Sequence, residues 1–269
     1  MIPRISLENL KLSKIVCGTN PFVGITHRNN PFDILSHLRR FKQPETIAKF
    51  MIHLLQEHGI NCCVSSPRDK IYQATKIVEK ETGEKYHWIC TPSRRKTVKN
   101  LAGDIFKQID WCRDKGVFVC MPHRNYTDNA IDKKNLVIGG NKTELPPYPE
   151  ISAYIRDKGM IPGLSSHNIE TIQAVEKNKY DAALIIQPLN KRGFQSDADP
   201  EYLTQMIQNT KIQILNIKPM AAGRIDPRKA LSFCLKSIKK NDFLAVGFSK
   251  YEQCVEDGKI IEEILNTLS

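Results

Sequence analysis

Short apolar segments alternate along the chain with longer segments whose apolar positions recur every three to four residues. The short segments are rich in Val, Ile, Leu, Phe and Cys, which is typical of buried strands, and the longer ones have the period of amphipathic helices. This pattern predicts eight strands, at residues 14–17, 60–65, 87–91, 117–121, 160–164, 182–187, 213–218 and 243–247. It predicts a helix after each strand, at residues 45–57, 70–81, 97–114, 149–157, 169–176, 200–208, 227–239 and 252–267.

Eight alternating strands and helices predict a single (β/α)8 TIM barrel over residues 1–269. A doubly wound open sheet is the alternative fold. Such sheets often carry a Gly-x-Gly-x-x-Gly loop after the first strand, whereas this chain reads Gly18-Thr19-Asn20-Pro21 there. The barrel is therefore the predicted fold class.

Three connections from strand to helix are long, at residues 18–44, 122–148 and 188–199, whereas the turns from helix to strand are short and contain glycine. Barrels carry their sites on the strand-to-helix side. We therefore expect the site at the carboxyl ends of the strands, with residues 124–147 as a candidate lid over bound ligand.

Composition narrows the class of protein. The chain has no run of about 18 apolar residues and no apolar segment of the signal-peptide type near its first residue, so we expect a cytoplasmic protein without a membrane partner. Its 40 Lys and Arg outnumber 29 Asp and Glu, giving a net charge of +11. Because the basic residues are scattered and no nucleic-acid-binding motif accompanies them, we expect a small-molecule substrate rather than nucleic acid. The oligomeric state stays open.

Eight cysteines occur without a Cys-x-x-Cys pair, mostly inside apolar segments. This usage is typical of buried, reduced thiols. A thiolate cluster of Cys62, Cys90 and Cys120, on adjacent predicted strands, is the alternative. Alternation along a strand favours burial, because it turns some of these side chains towards the helices.

Five short segments, in order along the chain, resemble motifs of the aldo-keto reductases. They are residues 6–19, 59–61, 163–168 (Gly-Leu-Ser-Ser-His-Asn), 218–223 (Lys-Pro-Met-Ala-Ala-Gly) and 246–253 (Val-Gly-Phe-Ser-Lys-Tyr-Glu-Gln). The resemblance implies a barrel with a short amino-terminal hairpin and an oxidoreductase that uses NAD or NADP. Residues 19–27 are also similar to a group of uncharacterised barrels that share an Asn-Pro-Phe-x-Gly loop.

Most of the family's catalytic tetrad is missing. Its Asp position reads Val64, its Tyr position falls near Asp69, and its Lys position falls at Thr91 or Pro92. Only the His remains, as His123. Ordinary carbonyl reduction would therefore lack its proton donor, and the resemblance leaves His123, perhaps assisted by Asp69, as the catalytic candidates. Asp69 is equally a candidate cap for the helix predicted from residue 70.

By the same resemblance, the cofactor-binding positions are better retained than the catalytic positions. Gln253 replaces an arginine that often binds the adenosine 2′-phosphate, which favours NAD over NADP. The implied cofactor-binding positions are Gly18, Ser165, Ser166, Gln187, Ser249, Gln253 and Glu256. By the resemblance, Ser165, Ser166 and Gln187 would bind the nicotinamide carboxamide.

Two alternatives come from the residues themselves. His27, His123 and His167 follow three different strands, and three imidazoles can hold a divalent metal in a lyase, isomerase or hydrolase. They are otherwise independent polar loop residues. A non-catalytic binding protein on the same barrel is the remaining alternative.

Basic and polar side chains after the strands predict recognition of an anionic substrate by charge-assisted hydrogen bonds. Lys218 could also form a Schiff base if it were desolvated, although the family carries a lysine there without that chemistry. The substrate-binding candidates are Asn20, His27, Arg68, Arg124 and Lys218, and a second basic group is formed by Arg94, Arg95, Lys96 and Lys99.

Overall fold

The computed structural model describes residues 1–27, 30–93, 101–140 and 145–268. Eight parallel strands close into a barrel in chain order, with the last strand paired to the first. They are β1 (Ile15–Gly18), β2 (Cys62–Ser65), β3 (His87–Cys90), β4 (Val119–Cys120), β5 (Ile161–Ser165), β6 (Leu184–Pro188), β7 (Gln213–Ile217) and β8 (Phe243–Gly247).

A helix follows each strand and packs outside the barrel. These helices are α1 (Pro44–His58), α2 (Asp69–Thr82), α3 (Leu101–Asp114), α4 (Tyr148–Asp157), α5 (Glu170–Asn178), α6 (Pro200–Asn209), α7 (Pro227–Ser237) and α8 (Tyr251–Leu268). The predicted TIM barrel is confirmed, and its predicted elements agree with the observed ones to within two residues at each described boundary. The predicted start of α3 at residue 97 lies outside the described residues.

An antiparallel hairpin of Arg4–Leu7 and Leu10–Ser13 precedes the barrel. Leu7, Leu10 and Leu12 pack with the residues of the barrel interior. The hairpin thus closes the end of the barrel where the strands begin, because its last strand leads directly into β1. The opposite end of the barrel, where the strands have their carboxyl ends, is therefore the end at which a site can be accessible.

Strand alternation divides the core into two layers. Cys62 and Leu184 face the barrel interior, whereas Cys90, Cys120 and Ile185 pack against the helices. All eight cysteines are buried and none is in a disulfide, as the composition predicts. The alternative cluster of Cys62 with Cys90 and Cys120 does not form, because Cys62 points to the other layer.

Two extra α-helices and a short 3₁₀ helix, Asn20–Val23, lie in the described parts of the long connections and were not predicted from the sequence. Of the two α-helices, the first, here called the mouth helix, is Pro31–Arg40 and lies between β1 and α1. The second is the β4–α4 helix, Arg124–Ala130. The described part of the 124–147 connection is thus folded, and its role as a lid stays a prediction. Across the described chain, no helix combines the length and apolar character needed to span a membrane.

The mouth helix begins with a clear local signal. The side chain of Asn30 accepts a hydrogen bond from the backbone N–H of Phe32 at 3.0 Å, and Pro31 occupies the first turn. None of its residues is buried, and Phe32 is 83% exposed. Its apolar positions do recur with a helical period, although no residue of the helix is buried. The prediction missed it because it placed one helix after each strand and assigned residues 18–44 to a connection.

Candidate functional site

A cavity of about 870 Å³ opens at the carboxyl ends of the strands. The loops after β1, β4, β5, β7 and β8 and the mouth helix form its walls. This is the predicted face of the barrel. Ten of the site residues predicted from the sequence line it: Gly18, Asn20, His27, His123, Arg124, Ser165, His167, Lys218, Ser249 and Gln253.

Lys218 follows β7 directly and has a left-handed backbone, with φ of 61°. A non-glycine residue in this conformation costs on the order of 1 kcal/mol or more and is concentrated at functional sites. Its Nζ lies 2.8 Å from Nε2 of His167. Burial, and secondarily the positive charge of Arg124, lowers the pKa of Lys218 to about 7. The amine is therefore partly neutral, and nucleophilic, at neutral pH.

His167 lies between this amine and a buried carboxylate. Its backbone N–H donates to Oδ1 of Asp128 at 2.8 Å, and its Nδ1 lies 3.9 Å from Oδ2 of the same residue. Burial and then the charge of Lys218 lower the pKa of His167 to about 3. The ring is thus neutral, and its Nε2 accepts a hydrogen bond from the lysine while Lys218 is protonated.

Asp128 was not predicted as a site residue. Its carboxylate accepts hydrogen bonds from Oγ of Ser166 at 2.9 Å and from the backbone N–H of His167, and it lies 3.7 Å from a guanidinium nitrogen of Arg124. Burial raises its pKa. The i, i+4 spacing of Arg124 and Asp128 directly after His123 was the available sequence signal.

His123 is the N-cap of the β4–α4 helix, and its Nδ1 accepts the backbone N–H of Asn125 at 3.2 Å. Burial lowers the pKa of His123 to about 4, and the charges of Arg124 and Lys218 act in the same direction. A neutral ring whose Nδ1 accepts carries its hydrogen on Nε2. His123 can therefore donate a hydrogen bond to a substrate oxygen in the cavity.

His27 completes the group of imidazoles on the cavity wall. Its Nε2 lies 3.2 Å from Nδ2 of Asn20, and its pKa is lowered by burial and by Lys218 and Arg124. The three-histidine metal site is not supported, because the described residues hold no group of His, Cys, Asp or Glu suited to a metal ion. Nε2 of His167, which would be a ligand atom, instead faces the amine of Lys218.

Asp69 and Arg68 do not belong to the cavity lining. Asp69 is the first residue of α2, so it is not the N-cap, and its side chain is 71% exposed, 3.8 Å from Nζ of Lys115. Arg68 is also exposed. Both side chains follow β2 but turn to solvent, which corrects their proposed roles in catalysis and substrate binding. The basic group at residues 94–99 lies outside the described residues.

The nicotinamide positions implied by the resemblance fit poorly. Ser166 is fully buried, and its Oγ donates to Asp128 while it accepts from Oγ1 of Thr171. Gln187 is on the outward side of β6, where its Nε2 donates to the carbonyl of Asn168. Neither lines the cavity, so only Ser165 remains of the three groups implied for the carboxamide.

The adenosine end also differs from the expectation. Oε1 of Gln253 accepts from both the backbone N–H and the hydroxyl of Ser249, and Arg40 of the mouth helix donates to the Ser249 carbonyl. The mouth helix thus places the guanidinium of Arg40 beside Ser249, the residue bonded to Gln253. This weakens the argument for NAD over NADP, which rests on the absence of an arginine at position 253. Glu256 is exposed in a separate hollow, beside Arg228, and does not line the cavity.

No protein-family model matches the sequence, and no curated protein matches it. Solved structures do match. A protein from Pseudomonas aeruginosa, provisionally assigned as an aldo-keto reductase, is 13% identical with a TM-score of 0.65, over 98% of this chain and 94% of that one. A glycerol dehydrogenase from Gluconobacter oxydans is 15% identical with a TM-score of 0.57, over 98% and 95%. An aldo-keto reductase from Brucella melitensis is 10% identical with a TM-score of 0.58, over 99% of both chains. The chain therefore shares the (β/α)8 barrel fold of these solved structures.

Proposed function

We propose that the chain is an enzyme that binds a small carbonyl compound in the cavity and attacks its carbonyl carbon with the amine of Lys218. The observation that carries the proposal is the 2.8 Å contact between Nζ of Lys218 and Nε2 of His167 at the cavity wall. A buried lysine with a lowered pKa is the usual form of a Schiff-base lysine. The strained backbone of Lys218 supports a functional role for the same residue.

The reaction needs only groups that the cavity contains. The neutral amine forms a bond to the carbonyl carbon, and the carbonyl oxygen takes the electron pair while Nε2–H of His123 donates to it. The carbinolamine then loses water, made of the carbonyl oxygen and the two hydrogens of the amine, which leaves an imine. The imine withdraws electrons from the neighbouring carbon, so that a proton or a carbon substituent can leave there.

His167 is the proposed acid and base for these proton transfers. It contacts Nζ, where the amine must lose protons, and the charge of Lys218 contributes to lowering its pKa. Once Lys218 is a neutral amine or an unprotonated imine, that charge is absent and the imidazole becomes more basic. The pair of Lys218 and His167 therefore gains a base at the stage when the attacking amine must lose its protons.

Reductive trapping tests this function. The purified protein is incubated with cyanoborohydride and a panel of small aldehydes and ketones, both neutral and anionic, and the modified lysine is identified by peptide mapping. We expect modification of Lys218 ahead of every other lysine. Lys14 is the internal comparison, because burial also lowers its pKa, to about 8, but its amine donates to three backbone carbonyls at the opposite end of the barrel. Failure of every compound to modify Lys218 would refute the proposal.

The pH dependence of trapping is a separate prediction. Because the pKa of Lys218 is lowered to about 7, the reactive neutral fraction should rise through neutral pH and then level off. His123 and Arg124 after β4, Asp128 in the β4–α4 helix, His27 after β1 and His167 after β5 are charged or titratable groups around this amine. With pKa values lowered to about 4 and about 3, His123 and His167 stay neutral through neutral pH, and the pKa of His27 is lowered as well. Arg124→Gln should move the midpoint to higher pH. A wild-type rate that keeps rising to about pH 10, as for an ordinary lysine, would contradict the lowered pKa.

A dinucleotide-dependent oxidoreductase acting on a small anionic substrate is the second candidate. It is favoured by the aldo-keto reductase fold and by the position of Gly18, Ser165, Ser249 and Gln253 on the cavity wall. A bound NAD or NADP would supply hydride chemistry, but Ser166 and Gln187 are engaged away from the cavity. Calorimetric titration with NADH and NADPH decides this candidate, and we expect no binding at millimolar concentration.

A further inference from the structure

The immediate surroundings of Lys218 are short of negative charge. Arg124 lies close enough to lower the pKa of Lys218, and His123 and His167, with pKa values lowered to about 4 and about 3, are neutral. The pKa of His27 is lowered as well. Among the described residues that line the cavity, Asp33 is the one acidic side chain, and it belongs to the mouth helix, where it acts on His37. The amine thus lies in an environment that resists a positive charge at Nζ.

Asp128 is the carboxylate that raises the pKa of Lys218, but its oxygens already have partners. Ser166 and the backbone of His167 donate to Oδ1, and Oδ2 lies against Arg124. It is also absent from the cavity lining. Asp128 therefore raises the pKa of Lys218 less than burial and Arg124 lower it, and the net shift is downward.

A protonated imine is as cationic as the ammonium that this environment disfavours. Protonation is what makes the imine an effective electron acceptor, so the missing negative charge must come with the substrate. Arg124 offers a guanidinium that is 46% exposed on the cavity wall, and its described ion pair is the 3.7 Å contact to Asp128. A guanidinium binds a carboxylate through two parallel hydrogen bonds.

We infer that the substrate is a 2-oxo acid, whose carboxylate is bonded to the carbon that Lys218 attacks and is bound by Arg124. This inference rests on the proposed function and adds the substrate class to it. A carboxylate on the imine carbon lies beside the new positive charge, whereas a charge placed further along the substrate compensates it less. The cavity of about 870 Å³ leaves room for a substituent beyond the 2-oxo acid group.

The experiment compares pyruvate with methyl pyruvate, which keeps the ketone and removes the charge. Each is trapped at Lys218 with cyanoborohydride, and the rate is measured against concentration for wild type, Arg124→Gln and Arg68→Gln. Arg68 is the matched control, because it also follows a barrel strand, β2, but is exposed outside the cavity. The ratio of the two rates does not depend on the pKa of Lys218, because both probes react with the same amine and its neutral fraction cancels.

We expect pyruvate to react at least about tenfold faster than methyl pyruvate in wild type and Arg68→Gln, and this preference to disappear in Arg124→Gln. Equal rates in wild type, or a preference that survives Arg124→Gln, would overturn the 2-oxo acid inference and leave the Schiff-base lysine standing. Faster trapping of levulinate, whose carboxylate lies further from its ketone, would overturn the placement of the charge. Absence of any label at Lys218 would refute the proposed function itself.

Discussion

Replacement of Lys218 by arginine or methionine should reduce reductive trapping at the site by at least about 100-fold, because neither residue has an amine that can form an imine. Arginine keeps the positive charge beside His167, so this variant separates nucleophilicity from electrostatics. The measurement is the rate of adduct formation by intact-protein mass spectrometry. Persistent trapping at the wild-type rate in Lys218→Arg would assign the reactive amine to another residue.

Stability distinguishes a reactive lysine from a structural one. Burial disfavours the charged form of Lys218, so Lys218→Met should unfold at or above the wild-type temperature. Lys70→Arg is the matched control: its amine also has a lowered pKa, but it donates to the carbonyls of Phe22 and Phe41 outside the cavity. In Lys70→Arg, reductive trapping at Lys218 should proceed at the wild-type rate. A marked loss of stability in Lys218→Met would indicate that the lysine holds the fold together.

The substitution Gly163→Ala should destabilise the fold by about 3 kcal/mol or more, the upper part of the range for overpacked sites. A Cβ at Gly163 would lie 2.3 Å from the backbone carbonyl oxygen of Leu184 and 2.9 Å from Cε of Met121. Leu184 is the partner of Gly163 in the pairing of β5 with β6. In the variant, the carbonyl of Leu184 could move away only if these strands separated. The closed barrel would therefore be strained at this point.

Gly83→Ala is the control for this effect. Gly83 has a φ of +72° at the end of α2, and a Cβ there meets no atom within 4 Å. Its cost is therefore conformational alone, about 1 kcal/mol. Chemical denaturation of the two variants measures the difference. Equal destabilisation would show that the strand contact at Gly163 is less close than the 2.3 Å approach indicates.

Much of the barrel was predictable because its signals are local. Each strand is a short apolar segment and each barrel helix has an apolar face, so the period of the sequence reveals both. The mouth helix has the same helical period but no buried residue, and it was missed because residues 18–44 were assigned to a connection between a strand and a helix. The β4–α4 helix was missed because its N-cap is His123, a residue that capping preferences do not favour.

The sequence predicted which candidate site residues lie near the ends of strands, but it did not predict which of their side chains reach the cavity. His123, His167 and Lys218 each follow a barrel strand, and all three reach the cavity. Asp69 follows β2, and Gln187 is the second-last residue of β6, but neither lines the cavity. The direction of a side chain after a strand depends on the last residue paired in the sheet and on the turn that follows, and a shift of one residue reverses it.

The sequence by itself determined the alternation of elements, the barrel, and the face on which the site lies, because hydrophobic periodicity and connection lengths are properties of neighbouring residues. Only the tertiary structure decided that Lys218 meets His167, 51 positions away, and that Asp128 lies beside that histidine. It also decided which candidate side chains turn away from the cavity. These relations arise when the barrel closes and brings β5 and β7 around one cavity. The pKa of Lys218 is low only there, because burial reduces the solvation of its charge by water.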